Sequence, residues 1–544
     1  MNPDLIDIMM ASSQPNYGAI VTTDSSRREF LKQAAFLIAG LNGAIALHGT
    51  NGSMAEARDG YKIGPWTGDD FTVGHQLRDG KIPKFPSQAS EKADFVIVGG
   101  GLAGLSCAHY LRDSKFLLLE QYEDLGGHSR GGSYQGIDYS YGAAYLATIE
   151  GAVGELLDDL SLKPLKLDDS KFAWFNDGSW IRGSEGADDN LIYREFKRFR
   201  DENKSFWNKW NGLYPALTEF PDLLKLDNVT MEDTLKSYDP KFVSLLDGFI
   251  KSGLNGGIKS VSALSGLSTI EDIFAATYLL PGGNPAITKE LSKRLRTSHG
   301  EQVKTGSFVW DIRLKDNGAL VTYGMQDGSF HTVECRHVIF AIPQMVAARV
   351  ARNLPDKAKA AMFRFRYGSY AVANVLMKKR IFESSFDNFL PTSYEIGDIT
   401  IAETPYMMNG TYKPEMGSVL TVYVPYEAAS QGRTVLYQGN KKKLAGSIMT
   451  ELTKAIPQLK GNVEEVILSR WGHALAVARP QYFKYVGELM SFENDSLSFA
   501  HSSAHGLPGA EAAVQGALHA SQRAKAIKVS ARPIYSIPGL SNLT

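Results

Sequence analysis

The chain has 544 residues, of which 43% are apolar and 22% charged, and its formal net charge is −1. That length is too great for one small core and suits two connected domains, while the near-zero charge gives no global field to recruit nucleic acid or an anionic membrane. Only two cysteines occur, Cys107 and Cys335. This excludes a disulfide scaffold, and neither begins the CxxCH run that attaches c-type haem, so both read as small buried hydrophobes.

Taken in order, Ser26-Arg27-Arg28-Glu29-Phe30-Leu31-Lys32 is close to the full twin-arginine export consensus. Gln33 to Leu47 follows as an uncharged apolar stretch too short to span a bilayer comfortably. Ala55-Glu56-Ala57 offers small residues where a signal peptidase reads, so residues 1–57 are expected to be a leader and the mature chain to begin near Arg58. That route exports folded proteins, which suits a chain that must first capture a cofactor; the expected destination is periplasmic, with no transmembrane segment in the mature chain. Arg58 to Lys92 is rich in Gly, Pro and Asp and reads as an irregular arm. Within it His75 reads either as a ligand or as a turn histidine.

Residues 93–149 carry the most informative stretch. The apolar run Phe95 to Val98 leads into three consecutive glycines and then an apolar-periodic segment, the pattern of a buried parallel strand turning sharply into a helix. Gly99, Gly101 and Gly104 form GxGxxG: the first permits the turn, the second lets backbone approach a pyrophosphate, and the third lets helix lie close on strand. Leu102 and Ala103 open that helix, whose unpaired N–H groups and positive dipole end suit phosphates. A second apolar run, Phe116 to Leu119, ends in Glu120, about twenty residues past the first glycine, where a carboxylate can accept hydrogen bonds from a ribose diol.

Glu150 to about Thr277 has helical periodicity with aromatic clusters at Phe172 to Trp180 and Phe206 to Tyr214, so residues 150–280 are expected to be a largely helical part of a substrate domain. Glu185, Asp188 and Asp189 read either as a receptor for a polycation or as a solvated loop. Pro281 to Asn284 is a turn before a helix, Ser307 to Ile312 and Ala319 to Tyr323 alternate like paired strands, and His337 to Ile342 is a buried strand ending at Pro343. That order closes a dinucleotide fold built from separate pieces, 93–149, 281–352 and 491–530. Residues 353–490 read mostly as strands, including Tyr370 to Met377 and Gly417 to Val424, interrupted by a helix at Lys441 to Ala455. Gly509 to Ala526 is a small-residue helix, and the tail 531–544 carries no readable sign.

The doublet Gly126-Gly127 followed by His128, Ser129 and Arg130 resembles the phosphate-binding extension of the flavin amine oxidoreductases, the monoamine and polyamine oxidase superfamily. Within it, Arg27-Arg28, Leu77 to Gly80, Gly126 to His128, Gly282 to Asn284 and Arg470-Trp471-Gly472-His473 resemble, in the same order, the motifs of the spermidine dehydrogenase subgroup. The resemblance implies an α/β architecture: a discontinuous Rossmann-like FAD-binding domain with a substrate domain of mixed sheet and helices. It implies non-covalent FAD held by Gly99, Gly101, Leu102, Ala103, Gly104, Glu120, Gly126, Gly127, His128, Arg130, Val309 and Ser502, and a stretch from Ser133 to Leu146 folded back toward the flavin ring.

The implied reaction is oxidation of a small-molecule amine, a polyamine such as spermidine in the subgroup, by hydride transfer to flavin N5 and hydrolysis of the imine to an aldehyde. Trp471 and Tyr482 are then candidate aromatic walls that keep the amine neutral, and His473 is a candidate proton acceptor. Arg349 stands near the offset at which many family members place a lysine. The subgroup also carries a haem b, for which His75 is the candidate ligand, and a quinone, a cytochrome or oxygen would take the electrons.

Three departures from the family pattern stand out. Ala474-Leu475 replaces the subgroup's Gly-Tyr after the RW-x-H segment, Ala500-His501-Ser502 lacks the late acid, and Arg349 is not lysine. Two other readings therefore stay open: a flavin desaturase or oxidase of an apolar, isoprenoid-like substrate, and a non-catalytic flavin-binding protein.

Overall fold

The computed structural model describes residues 60–86, 88–167, 171–184, 190–207, 209, 220–391, 393 and 395–526. The leader, its cleavage site, the Glu185, Asp188 and Asp189 knot and the C-terminal tail lie outside the described residues. The described residues form one compact unit with two large sheets.

The first sheet is the dinucleotide sheet. Its parallel core sets Phe116–Leu119, Glu91–Val98, Phe330–Phe340 and Leu497–Phe499 side by side, with Val98 opposite Leu119 and Phe340 opposite both Val98 and Phe499. These strands come from three distant stretches of sequence, and their paired parts, Phe95 to Val98, Phe116 to Leu119, Val338 to Phe340 and Leu497 to Phe499, are buried, as a sheet covered on both faces requires. An antiparallel meander, Ser307–Lys315 with Gly318–Met325 with Phe330–Phe340, extends one edge. Helices Leu102–Tyr110 and Ala510–Ala526 pack together over this sheet through Ala, Gly and Ser, and the thiol of Cys107 lies 3.8 Å from the carbonyl oxygen of Ala517. Both cysteines are buried and free.

The second sheet has eight strands, in the order Lys62–Gly68, Val463–Trp471, Ser369–Met377, Ser418–Tyr426, Asp398–Ile401, Asp387–Phe389, Phe172–Asn176 and Ser179–Arg182. Two expectations are corrected here. The arm is not irregular: Lys62–Gly68 adds a parallel edge strand along Val463–Trp471, anchored by Trp66 and Ile63 against the sheet's core, and Thr72–Arg78 is a short helix. The aromatic cluster Phe172 to Trp180 is a hairpin of this sheet, with Asp177 and Gly178 both at positive φ, 49° and 84°. An Asp-Gly pair between alternating aromatics is the signal for such a two-residue turn. The helical part is nonetheless present, in Leu191–Trp207, Pro240–Leu254 and Ala263–Phe274, whose phenylalanines and leucines pack against the buried ring of Trp174 and its neighbours. Among the described residues no helix is long and apolar enough to cross a membrane.

Candidate active site

One cavity of about 1260 Å³ lies between the two sheets, and it collects most of the residues singled out by the sequence. Its dinucleotide end is built by the glycine loop. Gly99 turns the chain at φ 104°, and an added Cβ there would lie 2.6 Å from the carbonyl oxygen of Ala341. The helix that follows begins at Gly101 with no side-chain cap, so the N–H groups of its first turn are left to a ligand. A Cβ on Gly101 would meet only the Cα of Gly127, at 3.8 Å, so the loop backbone stands open to the cavity. Gly104 does not line the cavity: its Cβ would lie 1.8 Å from the carbonyl oxygen of Gly99, which makes it the residue that lets helix approach strand.

Glu120 ends its strand on the cavity wall, its carboxylate accepting hydrogen bonds from the Gly100 N–H at 2.6 Å and the Tyr122 N–H at 2.9 Å. Burial raises its pKa, and the bonds from Tyr122 and Gly100 oppose that rise. Leu102, Ala103, Gly126, Gly127, His128, Val309 and Ser502 line the same space. Arg130 does not. Its guanidinium is turned into the protein, donating to the carbonyls of Gly127 and Gly68 at 3.1 and 2.8 Å, and is sandwiched by the rings of Tyr122 and Trp471. It stiffens the wall from behind. An uncapped helix end, an open glycine backbone and a carboxylate at the end of the next strand fit the pyrophosphate and ribose of FAD.

The remainder of the cavity is framed by the end of strand Val463–Trp471, helix Gln344–Val350 and helix Ala429–Gln438. The buried indole of Trp471 donates to the carbonyl of Tyr141 at 2.8 Å, and the imidazole of His128 meets its face edge-on, with ring centres 4.7 Å apart. His473 lines the cavity two residues on. Burial above all, then the guanidiniums of Arg433 and Arg349, push its pKa down to about 3, so its imidazole is neutral and a weak base. Arg349 also lines the cavity.

Tyr482 is corrected: it is no wall of the cavity, because its buried hydroxyl donates to the carbonyls of Ser503 and Gly506. Tyr367 does line the cavity, as do Tyr122 and Tyr437, and it is set between His473 and His501 with ring centres 6.4 and 6.3 Å away. His501 accepts from the Ser503 N–H through Nδ1, at 3.3 Å, and burial, reinforced by His128 and His505, lowers its pKa to about 3. Tyr367, His501 and Arg433 escaped the sequence reading. Only for His501 was there a signal, its place in the last dinucleotide segment where an acid was expected. His75 stands on the cavity wall with Nε2 3.3 Å from the Tyr437 hydroxyl and its ring stacked on Tyr437. A haem held through that nitrogen would have to displace the Tyr437 hydroxyl.

The model of the flavin-containing amine oxidoreductases matches residues 102–524, well over half of the chain. The chain belongs to that family, and with it goes FAD as cofactor. Among curated relatives, flavin-containing amine oxidase A of Bos taurus is 24% identical over 288 residues, 48% of this chain and 52% of that protein. Oxidoreductase PigB of a Serratia species is 23% identical over 299 residues, 52% of this chain and 43% of that protein. The match thus spans about half the length of these relatives. Of solved structures, wild-type putrescine oxidase bound to putrescine superposes with a TM-score of 0.63 at 19% identity, covering 81% of this chain and 99% of the other. Cyclohexylamine oxidase from Brevibacterium oxydans gives 0.64 at 15% identity, covering 80% and 100%. These likenesses show the fold.

Glu120→Gln removes the charge that the ribose hydroxyls would meet, and hydrogen bonds to charged groups contribute about 1.5–3 kcal/mol, so FAD affinity should fall about 10- to 100-fold. Fluorescence titration of the apoprotein with FAD measures this; unchanged affinity would mean that the ribose lies elsewhere.

Proposed function

We propose that the protein is an FAD-dependent oxidoreductase acting on the CH–NH bond of a small amine. The observation that supports this most is the meeting, in one cavity, of a dinucleotide cradle with Trp471, Tyr367 and a neutral His473. FAD, when bound, is the acceptor of the electron pair that leaves the amine-bearing carbon. The chain's own residues have three tasks. Trp471 and Tyr367 exclude water and, as apolar walls beside guanidiniums, disfavour an ammonium, so the amine enters with its lone pair free. His473, neutral and on the cavity wall, can accept a hydrogen bond from the N–H of the forming C=N group without adding a charge of its own. The buried surroundings of His128 and His501 keep those imidazoles neutral too, so no cation of theirs competes with the developing iminium.

A polyamine such as spermidine would need carboxylates for its distal cation. Of the four that line the cavity, Glu120 and Asp69 hold backbone N–H groups, Asp70 holds Thr72, and Glu427 accepts from the Ser260 hydroxyl. The subgroup motifs favour spermidine; this charge pattern does not.

The reading predicts that anaerobic addition of a substrate amine bleaches the visible flavin band. Below the free amine's pKa the apparent Kd should rise roughly tenfold for each unit that the pH is lowered, because only the neutral form reacts. Retained FAD that no amine reduces would overturn it and favour a non-catalytic flavoprotein. We also propose export to the periplasm by the twin-arginine route, on the strength of Ser26 to Lys32. Cell fractionation should find the mature protein there, and the double variant Arg27→Lys, Arg28→Lys should hold it in the cytoplasm.

A further inference from the structure

The arm ahead of the glycine loop does more than add an edge strand. From Asp69 to Arg78 it runs along the cavity, and Asp69, Asp70, Phe71, His75 and Arg78 all line the wall. These residues precede 102–524, the stretch that the family's model matches, so that match does not account for this part of the wall. Gly68 brings the arm close. It has φ 89°, and a Cβ there would lie 2.3 Å from the carbonyl oxygen of Arg470, so glycine is needed where the arm meets strand Val463–Trp471. The next residue then exchanges two hydrogen bonds with Arg470: the Asp69 N–H donates to the Arg470 carbonyl at 2.8 Å, and Arg470 Nε donates to the Asp69 carbonyl at 3.0 Å.

That placement lets the Asp69 carboxylate reach one residue past Trp471, where its Oδ2 accepts from the Gly472 N–H at 2.9 Å. The Gly472 carbonyl is held from the other side, accepting from Arg433 Nε at 3.0 Å and from Ser369 Oγ at 3.1 Å. Glycine has the widest choice of backbone conformation, so a turn built on it keeps one shape only if its polar groups are pinned. The side chains whose directions this turn fixes are Trp471 and His473.

The same piece of arm is tied to the dinucleotide end. Arg130, whose Nε donates to the carbonyl of Gly127, donates from Nη2 to the carbonyl of Gly68 at 2.8 Å. The hydroxyl of Tyr122, two residues past Glu120, accepts from the Asp70 N–H at 3.1 Å and lies 3.5 Å from Asp69 Oδ1. Asp69 thus stands between two sets of contacts, one from the loops that cradle the dinucleotide and one from the turn that carries the aromatic wall.

We propose that Asp69 is a positioning residue that holds the Gly472 turn in register with the dinucleotide end, and so sets where Trp471 and His473 stand relative to bound FAD. The proposal rests on the amine-oxidising reading for what that wall does, and on these hydrogen bonds for what holds it. Loss of the carboxylate leaves the Gly472 N–H without its acceptor and the turn pinned on one side only. A misplacement of about 1 Å beside reacting atoms can cost about 100-fold in rate.

Asp69→Leu removes the acceptor, Asp69→Asn keeps a carbonyl oxygen in its place, and Tyr122→Phe removes the hydroxyl that holds the arm from the dinucleotide side. Hydrogen exchange on FAD-loaded protein reads the turn without any substrate. In Asp69→Leu, exchange across residues 470–476 should quicken about tenfold or more, as expected when a charge-assisted bond is lost, while the rest of the chain keeps its protection. Asp69→Asn should recover most of that loss, and Tyr122→Phe should quicken the same segment to a lesser degree. With any amine that reduces the wild type, the limiting rate of flavin reduction should fall about tenfold or more in Asp69→Leu and return towards wild type in Asp69→Asn. Exchange at 470–476 that stays as slow as in wild type, or that quickens evenly along the whole chain, would overturn the proposal. So would a quickened turn with an unaltered rate of reduction. If no amine reduces the wild type, the amine-oxidising reading falls, and the exchange result alone decides whether Asp69 holds the turn.

Discussion

The separation between helix Leu102–Tyr110 and the strand before it is the constraint on which the site depends. A single methyl group on Gly104 would lie 1.8 Å from the carbonyl oxygen of Gly99, so the helix can occupy its position only because that residue has no side chain. With the helix down, its uncapped first turn opens into the cavity, the next strand ends with Glu120 on the wall, and Gly126-Gly127 can cross beneath Gly101. The last helix, Ala510–Ala526, is admitted onto the same face by its own alanines and glycine, and its start lines the far side of the site. A cofactor cradle assembled from three distant stretches of sequence thus follows from one close contact repeated in small residues.

The second constraint is electrical. A chain with net charge −1 has no overall field to select a ligand. Selection has to be local, and burial does it by deciding which groups stay charged. His128, His473 and His501 are made neutral by their surroundings, whereas arginine keeps its charge under the same treatment because its intrinsic pKa is so high. The result is a cavity with neutral imidazoles beside fixed cations, a combination that opposes an ammonium and accepts a free amine.

Much of this was legible in the sequence because it is local. The glycine loop, Glu120, the meander near Ser307 and the final helix are short-range patterns of period, spacing and residue size, and the structure places them as their spacing requires. What was hidden depends on long-range packing. Arg433 sits on an unremarkable helix and reaches the cavity only because Ala429–Gln438 folds against Ser369–Met377 and the turn at Gly472. Tyr482 and Tyr367 are both buried tyrosines; nothing in the chain distinguishes the one whose hydroxyl is absorbed by backbone carbonyls from the one that faces the cavity. The strand Lys62–Gly68 was obscured by its glycines and proline, which an edge strand tolerates. The hairpin at Asp177-Gly178 was legible and was outweighed by the helical periodicity around it.

The most direct test of the account is a crystal structure of the protein with FAD bound. The account predicts the adenosine ribose hydroxyls within hydrogen-bonding distance of Glu120, the pyrophosphate on the N–H groups of Leu102 and Ala103, and the flavin ring in the part of the cavity walled by Trp471 and His473. A dinucleotide lying with its ribose away from Glu120, or a flavin ring excluded from the wall that carries Trp471 and His473, would contradict it.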